Sequence, residues 1–369
     1  MTGRGSLTIA LVLTVLLALT LALGGIQKPP MPEHIAGPQV LNADQQPPTL
    51  YRTAGNQILG PDGRTYLIHG LSRPSLEWQP EGDNLSQADV ALMASWGANT
   101  IRIPTNQDFL LADSCHTSPD YLATLDALVG WVNTAGMNAL LDLHWSDRGD
   151  SCIAKMGQQE MPDARSLAFW HTLAAHYKDN PHVFFDLYNE PHNITWDCWL
   201  HGCTTDEGWP AVGMQDLLTT VRQAGFRNLV FAGGLDWARD LSGVPQFPLQ
   251  GANIVYATHP YYASVDAAQL HLTFGALTAT YPIVASEFGP FAGQKPFCSP
   301  TEMTQLINYF DAPDGNPANR IGWISWAWYA AQDVCAFPAV ISDWAATPAP
   351  NGVPVKAALQ RYRAAERAP

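Results

Sequence analysis

Two glutamates stand in matching local contexts. Glu190 closes the run Phe184-Phe185-Asp186-Leu187-Tyr188-Asn189-Glu190-Pro191, and Glu287 closes Tyr281-Pro282-Ile283-Val284-Ala285-Ser286-Glu287. Each run is short, apolar and of strand-like composition. Pro191 cannot donate a backbone hydrogen bond to a central ladder, so the first strand is expected to stop there with Glu190 at its tip. A carboxylate at the C-terminal end of a buried parallel strand occupies a catalytic position in barrel enzymes. Two such groups allow one carboxyl to donate a proton while the other attacks, the pairing that glycoside hydrolysis requires.

Bringing two distant glutamates together is the task of the elements between them. Short apolar strands are expected at Tyr66–Leu71, Asn99–Ile103, Asn138–Leu143, Val183–Asn189, Asn228–Ala232, Asn253–His259, Pro282–Glu287 and Ile321–Trp326, with helical patterns between most of them. Eight such units predict a single α/β domain, a (β/α)8 TIM barrel. Ser86 with Asp89 reads as a capping box for the first helix, and Ser118-Pro119 as the opening of the second. Ser299-Pro300-Thr301-Glu302 combines both devices. The connection from Gly233 to Gln250 carries the weakest helical pattern. Ahead of the barrel, Pro61-Asp62-Gly63 between apolar flanks predicts a small hairpin.

The ends of the chain read differently. Arg4 followed by an uncharged stretch from Leu7 to Leu23 predicts an export signal or membrane anchor over 1–26. Residues 27–49 are rich in Pro and Gln and read as a linker, leaving 50–369 for the catalytic domain. Net charge is −14 with only 14% charged residues, which excludes the basic footprint a nucleic-acid partner needs. Six cysteines, an even number, suit an oxidising, extracellular compartment. Pairing by loop neighbourhood gives Cys115–Cys152, Cys198–Cys203 and Cys298–Cys335. A metal reading of Cys198, His201 and Cys203 is weaker than the disulfide, and Asp311 to Asn316 lacks the final glutamate of a calcium loop.

Strand ends supply the rest of the constellation: Arg102, His144, Asn189, His259, Tyr261 and Trp326 all fall where a barrel would gather them on one rim. This ordered set resembles glycoside hydrolase family 5, the cellulase-like branch of the retaining (β/α)8 glycosidases, over about Leu50 to Arg363. Asp186 to Pro191 is similar to the family's acid/base segment, and Ser286-Glu287-Phe288-Gly289 to its nucleophile segment. Arg102 in Thr100-Ile101-Arg102-Ile103-Pro104, His144 in Leu141-Asp142-Leu143-His144, and His259-Pro260-Tyr261 match further family motifs. Trp326 matches the eighth-strand tryptophan, with Trp328 competing for that place. Gly70 to Trp78 only loosely resembles the first-strand motif.

The resemblance implies Glu190 as acid/base, Glu287 as nucleophile, and Arg102, His144, Asn189, His259, Tyr261 and Trp326 as substrate-binding residues. No cofactor or metal is expected. Loop aromatics Trp78, Trp145, Trp196, Trp199, Trp209, Trp237 and Trp344 are candidate subsite platforms or packing anchors. The expected activity is that of a secreted endo-β-1,4-glucanase. A β-mannanase, a xyloglucanase and an exo-acting β-glycosidase are the enzyme alternatives, and a catalytically silent carbohydrate-binding barrel is the non-enzyme one. The expected partner is a polysaccharide or oligosaccharide, the expected state a monomer, and any membrane contact only through the N-terminal segment.

Overall fold

The computed structural model describes residues 50–152, 156–262, 265–290 and 298–366. The segments read as signal or anchor (1–26) and linker (27–49) lie outside the described residues. Eight parallel strands close a barrel in chain order. They are β1 (His69–Ser72), β2 (Thr100–Asn106), β3 (Asn138–Trp145), β4 (Val183–Asp186), β5 (Val230–Gly233), β6 (Ile254–Ala257), β7 (Ile283–Ala285) and β8 (Gly322–Ser325). This is the expected (β/α)8 barrel. No described helix is long and apolar enough to cross a membrane.

Side chains alternate across a strand with period two, and that rule sorts the whole barrel. Outward residues such as Ile101, Ile103, Leu141, Leu143, Phe185 and Tyr256 join the sleeve between strands and helices. Inward residues Leu140, Phe184, Leu229, Phe231, Val255, Val284 and Ile324 form a separate apolar plug in the lower barrel. Each large buried side chain of this kind contributes about 1.5–3 kcal/mol. One step higher on the same inward rows come Arg102, Asp142 and Asp186, all fully buried. The polar floor of the site therefore rests directly on the plug.

Several boundaries differ from expectation. Regular pairing in β4 ends at Asp186, so Pro191 does not terminate the strand and Glu190 is not at its tip. The chain bends across the barrel mouth instead, with Leu187 N donating to Phe231 O (3.0 Å) and Asn189 N to Leu143 O (3.1 Å). β7 and β8 likewise stop before Glu287 and Trp326. β2 runs past Ile103 through Pro104 to Asn106. Proline is tolerated there because β1, on the side its missing N–H would face, has ended opposite Arg102.

The hairpin pairs Arg52–Ala54 with Gln57–Leu59 around Gly55. Pro61-Asp62-Gly63 makes a second turn, closed by a bridge between Leu59 and Thr65. Ser86 caps the helix Gln87–Trp96 by accepting from Asp89 N. The Asp89 carboxylate, however, does not return to the cap; it accepts from Arg73 Nε (2.7 Å) and Trp328 Nε1 (2.8 Å). The second main helix starts at Tyr121, with Asp120 rather than Ser118 as its N-cap residue. Ser299 caps the helix Pro300–Asp311 as expected. After β5 there is only a four-residue turn, Leu235–Ala238.

Among the described residues three disulfides join Cys115 to Cys152, Cys198 to Cys203 and Cys298 to Cys335. The first and third tie neighbouring rim loops, after β2 and β3 and after β7 and β8.

Candidate active site

Arg102 is the hub. Its guanidinium is fully buried and faces three carboxylates, Asp142 (3.0 Å), Asp186 (3.3 Å) and Glu287 (2.7 Å). It also donates from Nη2 to Asn189 Oδ1 (2.6 Å). A planar fork of donors suits this multiple engagement in a way an ammonium does not. Burial raises the carboxyls of Asp142 and Asp186 to about 7, with Arg102 pulling both back down. Glu287 is held at both oxygens, since Tyr261 OH donates to Oε1 (2.6 Å) and Arg102 Nη1 to Oε2 (2.7 Å). Burial, then the charge of Glu287, raises the Tyr261 phenol well above its ordinary range, so it remains a donor.

Glu190 is held differently. Burial raises its carboxyl to about 7; the Arg102 charge opposes that shift and Asp142 adds to it. His259 Nδ1 stands 3.1 Å from Glu190 Oε1, and its Nε2 stands 3.0 Å from Ser286 Oγ. That imidazole is fully buried and its pKa falls to about 3 through burial. A neutral ring adds no positive charge to hold Glu190 ionised. His144 is also neutral, its pKa lowered to about 4 by burial and Arg102. Its Nδ1 stands 2.6 Å from Asp142 Oδ2, with Nε2 turned toward the cleft.

One oxygen from each of Glu190 and Glu287 and one nitrogen of His259 lie within 4.8 Å of one another. Three donors this close could hold a metal ion. Arg102 and Tyr261 already occupy both oxygens of Glu287, however, and a cation there would stand against a buried guanidinium. The arrangement is a protonatable acid facing a held carboxylate across a narrow gap. The gap opens into a cleft of about 450 Å³ lined by Glu190, Trp237, Arg239, His259, Tyr261, Glu287, Trp326, Ala336 and Pro338.

Every residue of the expected set thus reaches one rim. Trp326 stacks parallel to His144, ring centres 5.6 Å apart, and lines the cleft. Trp328, its competitor, is fully buried behind β1 on Asp89. The loop tryptophans divide. Trp237 is 40% exposed in the cleft, stacked on His192 at 3.5 Å. It sits on a left-handed turn, with φ of 53°, 61° and 57° at Asp236, Trp237 and Ala238. Non-glycine residues in that region cost about 1–2 kcal/mol each, and such outliers cluster at functional sites. The turn is pinned by Trp237 N donating to Pro191 O (3.1 Å) and His259 N to Ala238 O (2.9 Å).

Trp199 is a correction: fully buried, donating from Nε1 to Gly233 O (2.8 Å), it cannot face a sugar. Trp196 packs edge-on against it at 5.1 Å, and Trp209 is buried in the same sleeve. Trp78 is half-buried, with its edge toward Tyr329 and Phe337, and Phe337 in turn meets Trp326. Trp145 is half-buried at the end of β3. Trp344 is half-buried under the Arg73 guanidinium at 4.8 Å.

Asp142, Asp186, Ser286, Arg239 and Gln158 belong to the site without having been anticipated. For Asp142 and Asp186 a signal existed: an acidic residue inside an otherwise apolar strand needs a buried partner. Gln158 and Arg239 lie in irregular loops and carry no such mark.

The sequence profile of the Cellulase family (glycosyl hydrolase family 5) matches residues 59–332. The chain belongs to glycosyl hydrolase family 5. Curated relatives within reach include an endoglucanase of a Bacillus species, 28% identical over 57% of this chain and 22% of the relative. Endoglucanase A of Butyrivibrio fibrisolvens is 24% identical over 62% of this chain and 49% of the relative. The chain thus spans at most about half the length of these relatives. Among solved structures, the beta-glucanase SdGluc5_26A of Saccharophagus degradans in complex with cellotetraose superposes with a TM-score of 0.67 at 20% identity. That match covers 86% of this chain and 95% of the other. The catalytic domain of the major endoglucanase from Xanthomonas campestris pv. campestris gives 0.64 at 18% identity, covering 84% and 99%. At these identities the likeness establishes a shared barrel.

Proposed function

We propose that this family 5 member is a retaining endo-β-1,4-glucanase, with Glu190 as acid/base and Glu287 as nucleophile. The observation that carries the reading is the approach of the two carboxyls to within 4.8 Å. A retaining pair stands about 5–5.5 Å apart, whereas an inverting pair must leave room for water at about 6.5–9.5 Å. In the first step Glu190 gives its proton to the glycosidic oxygen while Glu287 attacks the anomeric carbon. The bond to the leaving sugar breaks and a glycosyl ester on Glu287 forms. In the second step the ionised Glu190 takes a proton from water, whose oxygen displaces Glu287 and frees the sugar with its original anomeric configuration.

The surrounding groups fit those roles. Arg102 and Tyr261 hold both oxygens of Glu287 by hydrogen bonds, and burial raises the Glu190 carboxyl to about 7, where it can both give and take a proton near neutrality. Asn189 is placed to donate to the 2-hydroxyl of the sugar at the cleavage point, an interaction that strengthens toward the transition state. Trp326 offers a floor for that ring, and Trp237 a second platform across the cleft. The β-1,4-glucan substrate is supported by the endoglucanase names of the relatives. We read residues 1–26 as an export signal or anchor and 27–49 as a linker, with the catalytic domain at 50–369 outside the cell.

The test is hydrolysis of carboxymethylcellulose by Glu190→Ala and Glu287→Ala. Each variant is expected to lose nearly all turnover while melting like the wild type. Wild-type-like turnover by either purified variant overturns the assignment. Parallel assays on mannan and xyloglucan, with viscosity followed against reducing ends, separate the glucanase from its alternatives and mid-chain from terminal attack.

A further inference from the structure

Gln158 lies on the loop after β3, outside every motif of the sequence. Its side chain completes a directed chain of hydrogen bonds. Arg102 Nη2 donates to Asn189 Oδ1 at 2.6 Å. Asn189 Nδ2 donates to Gln158 Oε1 at 2.8 Å. Gln158 Nε2 donates to the backbone oxygens of Gln159 (2.9 Å) and Glu190 (3.1 Å). Each amide in this series has one allowed orientation, because flipping Gln158 would set its oxygen against two carbonyls and its nitrogen against a donor.

The consequence falls on Asn189. Its oxygen is fixed by Arg102 and one amide hydrogen by Gln158. The second hydrogen is left with only a 3.4 Å approach to His144 Nε2, so it is the one available to an incoming hydroxyl. The loop that presents Gln158 is itself clamped. Ser146 and Gly157 exchange backbone hydrogen bonds (3.0 and 3.1 Å), and Gln159 is held through its backbone on both sides of Tyr188 OH (3.2 and 2.9 Å). Side-chain networks of this kind hold their geometry before substrate arrives.

We propose that Gln158 is a positioning residue for recognition of the 2-hydroxyl of the sugar at the cleavage point, acting through Asn189 and tying it to the backbone of Glu190. The inference rests on the reading of the site under the proposed function. It differs from a packing role in one respect: its contribution must vanish when the 2-hydroxyl is absent.

The experiment compares 4-nitrophenyl β-cellobioside with its analogue lacking the 2-hydroxyl on the ring that bears the nitrophenyl group. Gln158→Met keeps the length and removes both hydrogen-bonding functions. One lost hydrogen bond in a preorganised site corresponds to roughly a tenfold fall in kcat/KM. That fall is expected on the parent substrate, carried by kcat, with less than about a twofold change on the 2-deoxy analogue. Adding Gln158→Met to Asn189→Ala is expected to cost nothing further. Gln158→Glu provides the second variant: it keeps an acceptor for Asn189 but loses the donor to the Gln159 and Glu190 backbone oxygens, so discrimination against the 2-deoxy analogue should fall less than in Gln158→Met. Its added charge should also move the alkaline limb of the pH profile upward. Equal losses on both substrates, no loss on either, or full additivity with Asn189→Ala overturns the proposal. Should the wild type cleave neither aryl glycoside nor carboxymethylcellulose, the glucanase reading itself fails and this inference falls with it.

Discussion

The protonation of Glu190 is the most demanding consequence of the site. Burial raises that carboxyl from 4.5 to about 7 against the pull of Arg102. An acid must carry its proton to donate it, so its contribution is complete well below 7 and is lost as pH rises through 7. About half the enzyme is competent at pH 7, whereas a glutamate at its ordinary value would leave roughly 0.3%. The difference exceeds about a hundredfold in kcat/KM, far beyond assay error. On cello-oligosaccharides kcat/KM should therefore hold level to about pH 6 and fall about tenfold per unit above pH 7. A 2,4-dinitrophenyl cellobioside needs little protonation of its leaving group, and its kcat/KM reports the first step alone. For that substrate the alkaline limb should flatten. A limb near pH 5 on cello-oligosaccharides would refute the burial argument. The same limb for both leaving groups would show that Glu190 is not the group being titrated.

Two further outcomes follow from the same framework. Asp142 and Asp186 are raised from 3.8 to about 7 chiefly by burial, so the folded protein holds protons there that the unfolded chain releases. Their contribution to stability is full below about pH 4 and declines as pH rises to about 7, at up to roughly 1.4 kcal/mol per unit for each extra proton. Urea midpoints of wild type minus Asp142→Asn should carry that downward slope; a rising or flat difference contradicts it. Cys298 and Cys335 close a loop of sequence separation 37, for which chain entropy allows about 4 kcal/mol at most. The double change to serine should lower Tm by up to roughly 6 °C, and an unchanged Tm would show that the rim loops are held without the staple.

Much of this protein was written in local pattern. Eight short apolar runs separated by helical patterns were enough for the barrel, because a parallel strand covered on both faces must be apolar outward and can change character inward only at its top. The same pattern assigned Glu190, Glu287, Arg102 and His259 to strand ends; in the barrel Arg102 lies within β2 and the other three just past β4, β7 and β6, still on the one mouth a closed barrel offers. Nothing local told the chain where pairing would stop. β4 ends at Asp186 rather than Asn189 because the bend is decided by what Leu187 and Asn189 can reach on the two neighbouring strands.

Tertiary packing also decided which aromatics face water. Trp199 and Trp237 look alike in sequence, yet one donates to Gly233 inside the sleeve and the other stands exposed on a left-handed turn pinned to Pro191. Electrostatics was settled at the same level. A glutamate becomes an acid poised near 7 only when burial outweighs the cations around it, and which cations those are depends on Arg102 being shared among three carboxylates. Residue types and their spacing, then, determined the fold and the chemical parts. The closed barrel alone determined their protonation and mutual aim, since both depend on contacts between residues far apart in the chain.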